Sequence, residues 1–180
     1  MALLLLGMVL FFVPHFLGIL GLKNGLKQRL GEGPFKGIYS LLSLAGIVLI
    51  VMGYRDAPFD PVYTPMEGRA VPHALMPFAV ILAAGANMKS NLKQFIRHPM
   101  ALAVLLWSIS HLSVRGDLAS LMVFGAFGIF AILNMTLTKA APLPPTQPRA
   151  KDVMLVVAGL VGYGAIAWLH GAIGGVPVMG

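Results

Sequence analysis

Six apolar stretches alternate with shorter polar segments along the chain. They are Ala2–Leu22, Phe35–Tyr54, Val71–Met88, Pro99–Val114, Leu118–Leu137 and Val153–Ile173. A helix needs about 20 apolar residues to cross a hydrocarbon core of ~30 Å, so only the fourth stretch is clearly short. The pattern predicts an all-α polytopic membrane protein, a six-transmembrane-helix bundle that forms a single integral domain over residues 1–180.

The basic residues indicate how such a bundle would be oriented. Loops one, three and five hold ten of them, and loops two and four hold three. The ten are Lys23, Lys27, Arg29, Lys36, Lys89, Lys93, Arg97, Lys139, Arg149 and Lys151, and the three are Arg55, Arg69 and Arg115. Because cytoplasmic loops are enriched in lysine and arginine, this bias places both termini on the outer (periplasmic) side.

Composition excludes several classes of protein and site. Hydrophobic residues make up 58% of the chain and charged residues 11%, which is typical of an integral membrane protein. The net charge of +7 is attributed to these topogenic residues, and a nucleic-acid partner is not expected. The chain has no cysteine, which excludes disulfides, thiolate metal sites and haem attached covalently through cysteine.

Two connecting segments are rich in proline, and a third has a helical pattern. Residues 55–72 contain four prolines and are predicted to be extended or turned. Residues 140–150, with the sequence AAPLPPTQPRA, predict a spacer of the polyproline type. Lys89–Arg97 places apolar residues at helical spacing beside cations, which predicts a short interfacial helix.

Two histidines, His15 and His111, lie within apolar stretches. Ionisable residues inside a membrane are functional candidates by default. His15 lies about 13 residues into its helix and His111 about 12, so both lie ~18 Å from helix ends on opposite sides of the membrane. Their depths differ by roughly 6 Å, and the two rings could bind opposite faces of a planar macrocycle. Haem iron fits this pair better than zinc, because their helices offer no Cys, Asp or Glu ligand.

The alternative for these histidines is a hydrogen bond between packed helices, with the nearby glycines Gly7 and Gly18 serving helix contact rather than a cofactor. His73 and His170 lie near the outer ends of their helices, where interfacial hydrogen bonding is expected. His98 occurs in Arg97-His98-Pro99. This triplet is either an ordinary helix start with basic residues at the headgroups or part of a functional site.

Three segments together resemble the NnrU family of bacterial membrane proteins. They are LFFVPHFLGILGLK around His15, LGEGPFKGIYSLLSLAGIVLIVMGY at 30–54, and RHPMALAVLLWSISHLSVRGDLASLMVFG at 97–125. The resemblance implies an inner-membrane protein that supports nitrite and nitric oxide respiration in denitrification. The chain is also similar to zeta-carotene cis–trans isomerase, which binds b-type haem through two histidines. That similarity implies His15 and His111 as the ligands of the iron.

Several functions follow from these observations. The leading expectation is a b-type haem protein with His15 and His111 as metal ligands and with Arg97 or His98 paired to haem propionates. A cofactor-free assembly protein that packs against a respiratory membrane complex, or a haem-dependent carotenoid isomerase, is the alternative. No catalytic residue is predicted. A transporter is disfavoured because the spans lack Asp and Glu. Methyl transfer is disfavoured because Met100 follows Arg97-His98-Pro99, whereas tyrosine follows the same triplet in a motif of membrane isoprenylcysteine and phospholipid methyltransferases.

Overall fold

The computed structural model describes residues 1–174, and most of them are helical. The helices are α1 (Ala2–Ile19), α2 (Lys23–Leu30), α3 (Glu32–Arg55), α4 (Ala70–Gly85), α5 (Leu92–Phe95), α6 (Pro99–Val114), α7 (Leu118–Leu137) and α8 (Arg149–Gly174). Helices suit a lipid environment because each satisfies its own backbone hydrogen bonds. Each predicted apolar stretch is confirmed as a helix, and the bounds of α6 and α7 agree with the prediction.

Several helix bounds differ from the predicted ones by three or four residues, as at the start of α8, which is Arg149 instead of Val153. The first helix ends at Ile19 instead of Leu22, because Gly21 adopts a left-handed backbone with φ +72°. A polar helix, α2, then follows, and Gly31 with φ +83° separates it from α3. Glycine adopts these angles without a steric penalty. The apolar pattern missed α2 because that helix has no continuous apolar face.

Four of the helices are long and apolar enough to cross a membrane: α1, α3, α7 and α8 up to Ala172. The helices α4 and α6 are apolar but shorter, with 16 residues each. Many apolar side chains on the long helices are exposed, such as Leu41 and Val161, both 68% exposed. Water would solvate such surfaces poorly, whereas the acyl chains of lipids would solvate them well. The described chain is therefore all-helical and has the character of a membrane protein. The predicted outer position of the C-terminus concerns residues 175–180, which lie outside the described part.

The chain divides into two compact units, residues 1–59 (the N-terminal unit) and residues from 60 onward (the C-terminal unit). The prediction of a single integral domain stays a prediction. In the N-terminal unit, α1 packs along α3 with their backbones in close approach. A Cβ added to Gly7 would lie 2.6 Å from the Ile50 nitrogen, and one added to Gly46 would lie 2.8 Å from the Phe11 nitrogen. Gly7 therefore serves helix packing, the alternative considered from the sequence.

In the C-terminal unit, α6 packs against both α4 and α7, and α8 packs against α4. Small residues again allow the close contacts. Gly128 of α7 lies against Ser108 of α6, whose hydroxyl donates a hydrogen bond to the carbonyl of Phe124. Gly159 of α8 lies against Ile81 of α4, where an added Cβ would be 2.8 Å from the Ile81 Cα.

The segment before α4 is fastened to the turn between α6 and α7. The backbone N–H groups of Val62 and Tyr63 both donate to the carbonyl of Gly116, at 2.8 and 3.1 Å. The Tyr63 hydroxyl lies 2.5 Å from the carbonyl oxygen of Leu112 and 2.6 Å from that of Arg115. These carbonyls end α6 and have no partner further along the helix. The proline-rich segment is non-helical as predicted, and it caps a neighbouring helix.

Asp117 begins α7 and is only 3% exposed. Its carboxylate accepts hydrogen bonds from the backbone N–H and the hydroxyl of Ser120, at 3.0 and 2.7 Å, and pairs with Arg115 at 3.2 Å. Burial would raise the pKa of Asp117, but the Ser120 hydrogen bonds and the Arg115 charge outweigh it and hold the pKa below its usual 3.8. The residue is thus an ionised helix cap at ordinary pH.

Candidate functional site

His15 lies on α1 of the N-terminal unit, in an aromatic environment. Its Nδ1 is 2.6 Å from the carbonyl oxygen of Phe11, one turn earlier. The imidazole stacks on the Phe11 ring at 4.1 Å between centroids and 19° between planes. On its other side, Tyr39 of α3 lies 5.0 Å away. The ring is half-buried, so one helix orients it and a neighbouring helix supports it.

His111 lies on α6 of the C-terminal unit and has a similar environment. Its Nδ1 is 2.8 Å from the carbonyl oxygen of Trp107, again one turn earlier. Trp107 also contributes its ring, at 5.0 Å between centroids. Phe124 of α7 stacks on the imidazole at 4.4 Å and 20°. This histidine too is half-buried.

The two histidines therefore share one local construction, an aromatic residue four positions earlier whose carbonyl accepts from Nδ1. A carbonyl oxygen can only accept, so a hydrogen bond to it requires a proton on Nδ1, and in the neutral ring Nε2 then carries the lone pair. Helical geometry explains the contact, because side chains lean toward the helix N-terminus and onto the residue four positions earlier. A neutral ring held through Nδ1–H to a carbonyl is the usual second-shell arrangement of a metal-binding histidine. The donor set of each ring thus fits an iron ligand.

His170 of α8 lies near His111, with 6.0 Å between ring centroids and 30° between planes, and the sequence analysis did not link these two histidines. Metal–nitrogen bonds of about 2 Å put each ring centre about 3 Å from an ion, so two histidines that share one have centres at most ~6 Å apart. The observed separation reaches this limit. The interfacial hydrogen bonding expected for His170 stays a prediction.

The remaining predicted positions have separate surroundings. His73 is exposed and its Nδ1 lies 3.3 Å from the Tyr163 hydroxyl, the kind of hydrogen bond expected for it. His98 is the N-cap of α6, and its side chain makes no capping hydrogen bond. Arg97 donates from Nη2 to the carbonyl of Ala141 at 2.6 Å. A role for Arg97 or His98 toward haem propionates stays a prediction.

Carboxylates and thiolates do not complete a metal site here: residues 1–174 contain no group of three or more His, Cys, Asp or Glu placed to hold a metal ion. Imidazole pairs are the available donors. Two histidines are sufficient where a macrocycle fills the other positions of the metal, as in haem.

The sequence analysis did not predict that three residues would lie beside these histidines, namely Tyr39, Phe124 and His170. The aromatic partners could not be identified because they come from other helices. His170 had a usable signal: it lies three residues before the predicted end of its helix at Ile173, and His111 lies three before Val114. Both ends face the same side in the predicted topology, so this spacing could have indicated that the two histidines lie at similar depths.

The comparisons with known proteins agree with the resemblance seen in the sequence. No curated protein and no solved structure matches the chain. The family model described as NnrU protein matches residues 3–178. This range is nearly the whole chain and includes both His15 and His111. The chain therefore belongs to the NnrU family.

Proposed function

We propose that this NnrU-family protein binds b-type haem, with His15 and His111 as axial ligands, and supports nitrite and nitric oxide respiration in the bacterial inner membrane. The observation that carries the proposal is the construction the two histidines share. Each Nδ1 contacts the carbonyl four residues earlier, at 2.6 Å for His15 and 2.8 Å for His111. This contact directs the lone pair to Nε2, the nitrogen that would face iron.

The surroundings of the two rings suit a ligand of fixed orientation. Each imidazole is stacked within 20° of a phenylalanine plane, Phe11 for His15 and Phe124 for His111. Stacking limits rotation about the side-chain bonds, and the Nδ1–H bond to a carbonyl increases the basicity of the opposite nitrogen. Haem held by both histidines would supply one-electron transfer or redox sensing. The residues of the chain would bind and orient the group.

The proposal includes the six-span topology with both termini outside. The ten-to-three distribution of basic residues supports it. The helices α4 and α6 have 16 residues each, or about 24 Å at 1.5 Å per residue, against a core of ~30 Å. They would cross with little tilt, or with local thinning of the bilayer.

A cofactor-free assembly protein is the second candidate, favoured by glycines that face open space. An added Cβ at Gly164 of α8 would meet nothing within 4 Å, and one at Gly125 of α7 would meet only Leu121 of its own helix. Such positions allow a partner helix to approach closely. Isomerase activity on a polyene rests on the family resemblance alone.

Visible spectra of four single-alanine variants test the haem proposal. The protein is purified in mild detergent from cells with ample haem, and spectra are recorded before and after dithionite reduction. We expect haem bands in the wild type, and their loss or a change of spin state in His15→Ala and His111→Ala. His73→Ala is the control, because this histidine is hydrogen-bonded to Tyr163 and belongs to neither candidate ligand pair, and its bands should equal those of the wild type.

The fourth variant, His170→Ala, discriminates between ligand pairs. If it abolishes the bands while His15→Ala retains them, His111 and His170 are the ligands and His15 is not. A folded wild-type protein without haem bands would refute the cofactor and leave the assembly function. Helical circular dichroism of every variant shows whether a lost band reflects a lost ligand or a lost fold.

A further inference from the structure

The proline-rich segment between α7 and α8 is held along its length by side chains from the connection between α4 and α6. Three donors spaced three residues apart bond three carbonyls that are also three apart. The pairs are Asn91 Nδ2 to Gln147 at 2.9 Å, Gln94 Nε2 to Pro144 at 2.6 Å and Arg97 Nη2 to Ala141 at 2.6 Å. A polyproline helix has three residues per turn, so every third carbonyl points the same way. The spacing of the donors matches that period.

We call these three side chain-to-carbonyl hydrogen bonds the ladder, and Asn91 fixes one end of it. Its Oδ1 accepts from the backbone N–H of Gln147 at 2.8 Å. Its own backbone N–H and Nδ2 donate to the two carboxylate oxygens of Asp152, both at 2.7 Å. Asp152 is the sole acidic residue in the sequence segments 86–98 and 138–152. Both oxygens of that carboxylate are thus directed at Asn91.

The ladder brings together cations that are distant in sequence. We call the set of six the basic platform: Lys89, Lys93, Arg97, Lys139, Arg149 and Lys151. The ion pairs Lys36–Glu32 and Arg115–Asp117 both lie outside the platform. Six positive charges against one carboxylate form a strongly cationic surface at one end of the C-terminal unit.

Exposed apolar side chains accompany these cations. Phe95 of α5 is 84% exposed, the most of any large apolar residue described. Leu137, at the end of α7, is 62% exposed, and Leu143 within the proline-rich segment is 55% exposed. Cations beside exposed aromatic and leucine side chains are typical of a surface at the boundary between headgroups and acyl chains.

We propose that the basic platform is a binding site for the headgroup of an anionic phospholipid. The lysine and arginine side chains would contact the phosphate, while Phe95 and Leu143 would enter the acyl region beside it. A free phosphate would use the cations and gain nothing from the apolar side chains, so the geometry favours a lipid. The ladder matters because it holds the two cationic segments together before the lipid arrives, which reduces the entropy lost on binding.

Lipid retention by matched variants tests this site. The purified protein is incubated with equal amounts of phosphatidylglycerol and phosphatidylcholine, and the bound lipids are measured by mass spectrometry. The double variant Lys93→Gln/Arg149→Gln should lower the ratio of bound phosphatidylglycerol to phosphatidylcholine by about fivefold for each cation removed. The control Lys27→Gln/Arg29→Gln makes the same change of charge on α2 of the N-terminal unit and should leave the ratio unchanged.

A third variant tests the ladder without changing charge. Gln94→Ala removes the donor to Pro144 and should lower the ratio several-fold, while retained phosphatidylcholine and helical circular dichroism report an intact fold. An equal loss in the α2 control would show general surface attraction and overturn the site, and so would an unchanged ratio in the platform variant. Full displacement of phosphatidylglycerol by millimolar inorganic phosphate would show that the apolar side chains add nothing, which overturns the choice of a lipid.

Discussion

Alanine at Gly7 is expected to destabilise the packing of α1 on α3. Its Cβ would lie 2.6 Å from the Ile50 nitrogen and 2.9 Å from the Gly46 carbonyl oxygen, whereas ordinary van der Waals contact begins near 3.4 Å. The helices must therefore separate by about 0.8 Å, the difference between 3.4 and 2.6 Å. Both atoms belong to the backbone, so no side-chain rotation can relieve the clash.

The expected cost follows from this displacement. A gap of 0.5–1 Å forfeits roughly a quarter to a half of each dispersion contact along the interface. Overpacking of this kind typically costs about 1–3 kcal/mol of unfolding free energy. For a chain of this length, each kcal/mol lowers the unfolding temperature by roughly 2–4 °C.

Gly18→Ala is the matched control, because a Cβ at Gly18 of the same helix would meet nothing within 4 Å. Both variants gain the helix propensity of alanine, so the difference between their unfolding temperatures isolates the clash. The assay is thermal unfolding in one detergent, followed by circular dichroism. Equal unfolding temperatures for the two variants would refute the close approach of the helices at Gly7.

Two further predictions concern the turn that begins α7. Asp117→Ala should cost about 1–3 kcal/mol, because it removes the acceptor of the Ser120 hydrogen bonds. Since the folded pKa of Asp117 lies below 3.8, its contribution is complete above that pH and is lost as the pH falls through the folded pKa. The gap in unfolding temperature between wild type and variant should therefore narrow on acidification, and a constant gap down to pH ~2 would contradict this. Tyr63→Phe should cost about 0.5–1.5 kcal/mol, since the hydroxyl bonds the carbonyls of Leu112 and Arg115. Amide exchange in its loop should accelerate, and unchanged exchange would show that the hydroxyl does not fasten it.

The sequence predicted the apolar helices because apolar runs of this length have few alternatives in a membrane. Its bounds for α6 and α7 coincide with those of the structure, where Pro99 begins one helix and Asp117 caps the other. It also identified His15 and His111 as polar groups inside apolar helices. It missed α2, where polar residues form a helix stabilised by local hydrogen bonds rather than by an apolar face.

The sequence by itself determined the class of protein, its apolar helices and the two histidines, because each of these depends on residues close together in the chain. Only the tertiary structure decided which side chains from other helices surround them. It placed Phe124 and His170 beside His111, and it gave Gly7 to helix contact instead of a cofactor. It likewise joined the proline-rich segment to α5, because hydrogen bonds between residues some 50 positions apart depend on how helices pack. The pattern of apolar and polar residues along the chain does not indicate which helices pack together.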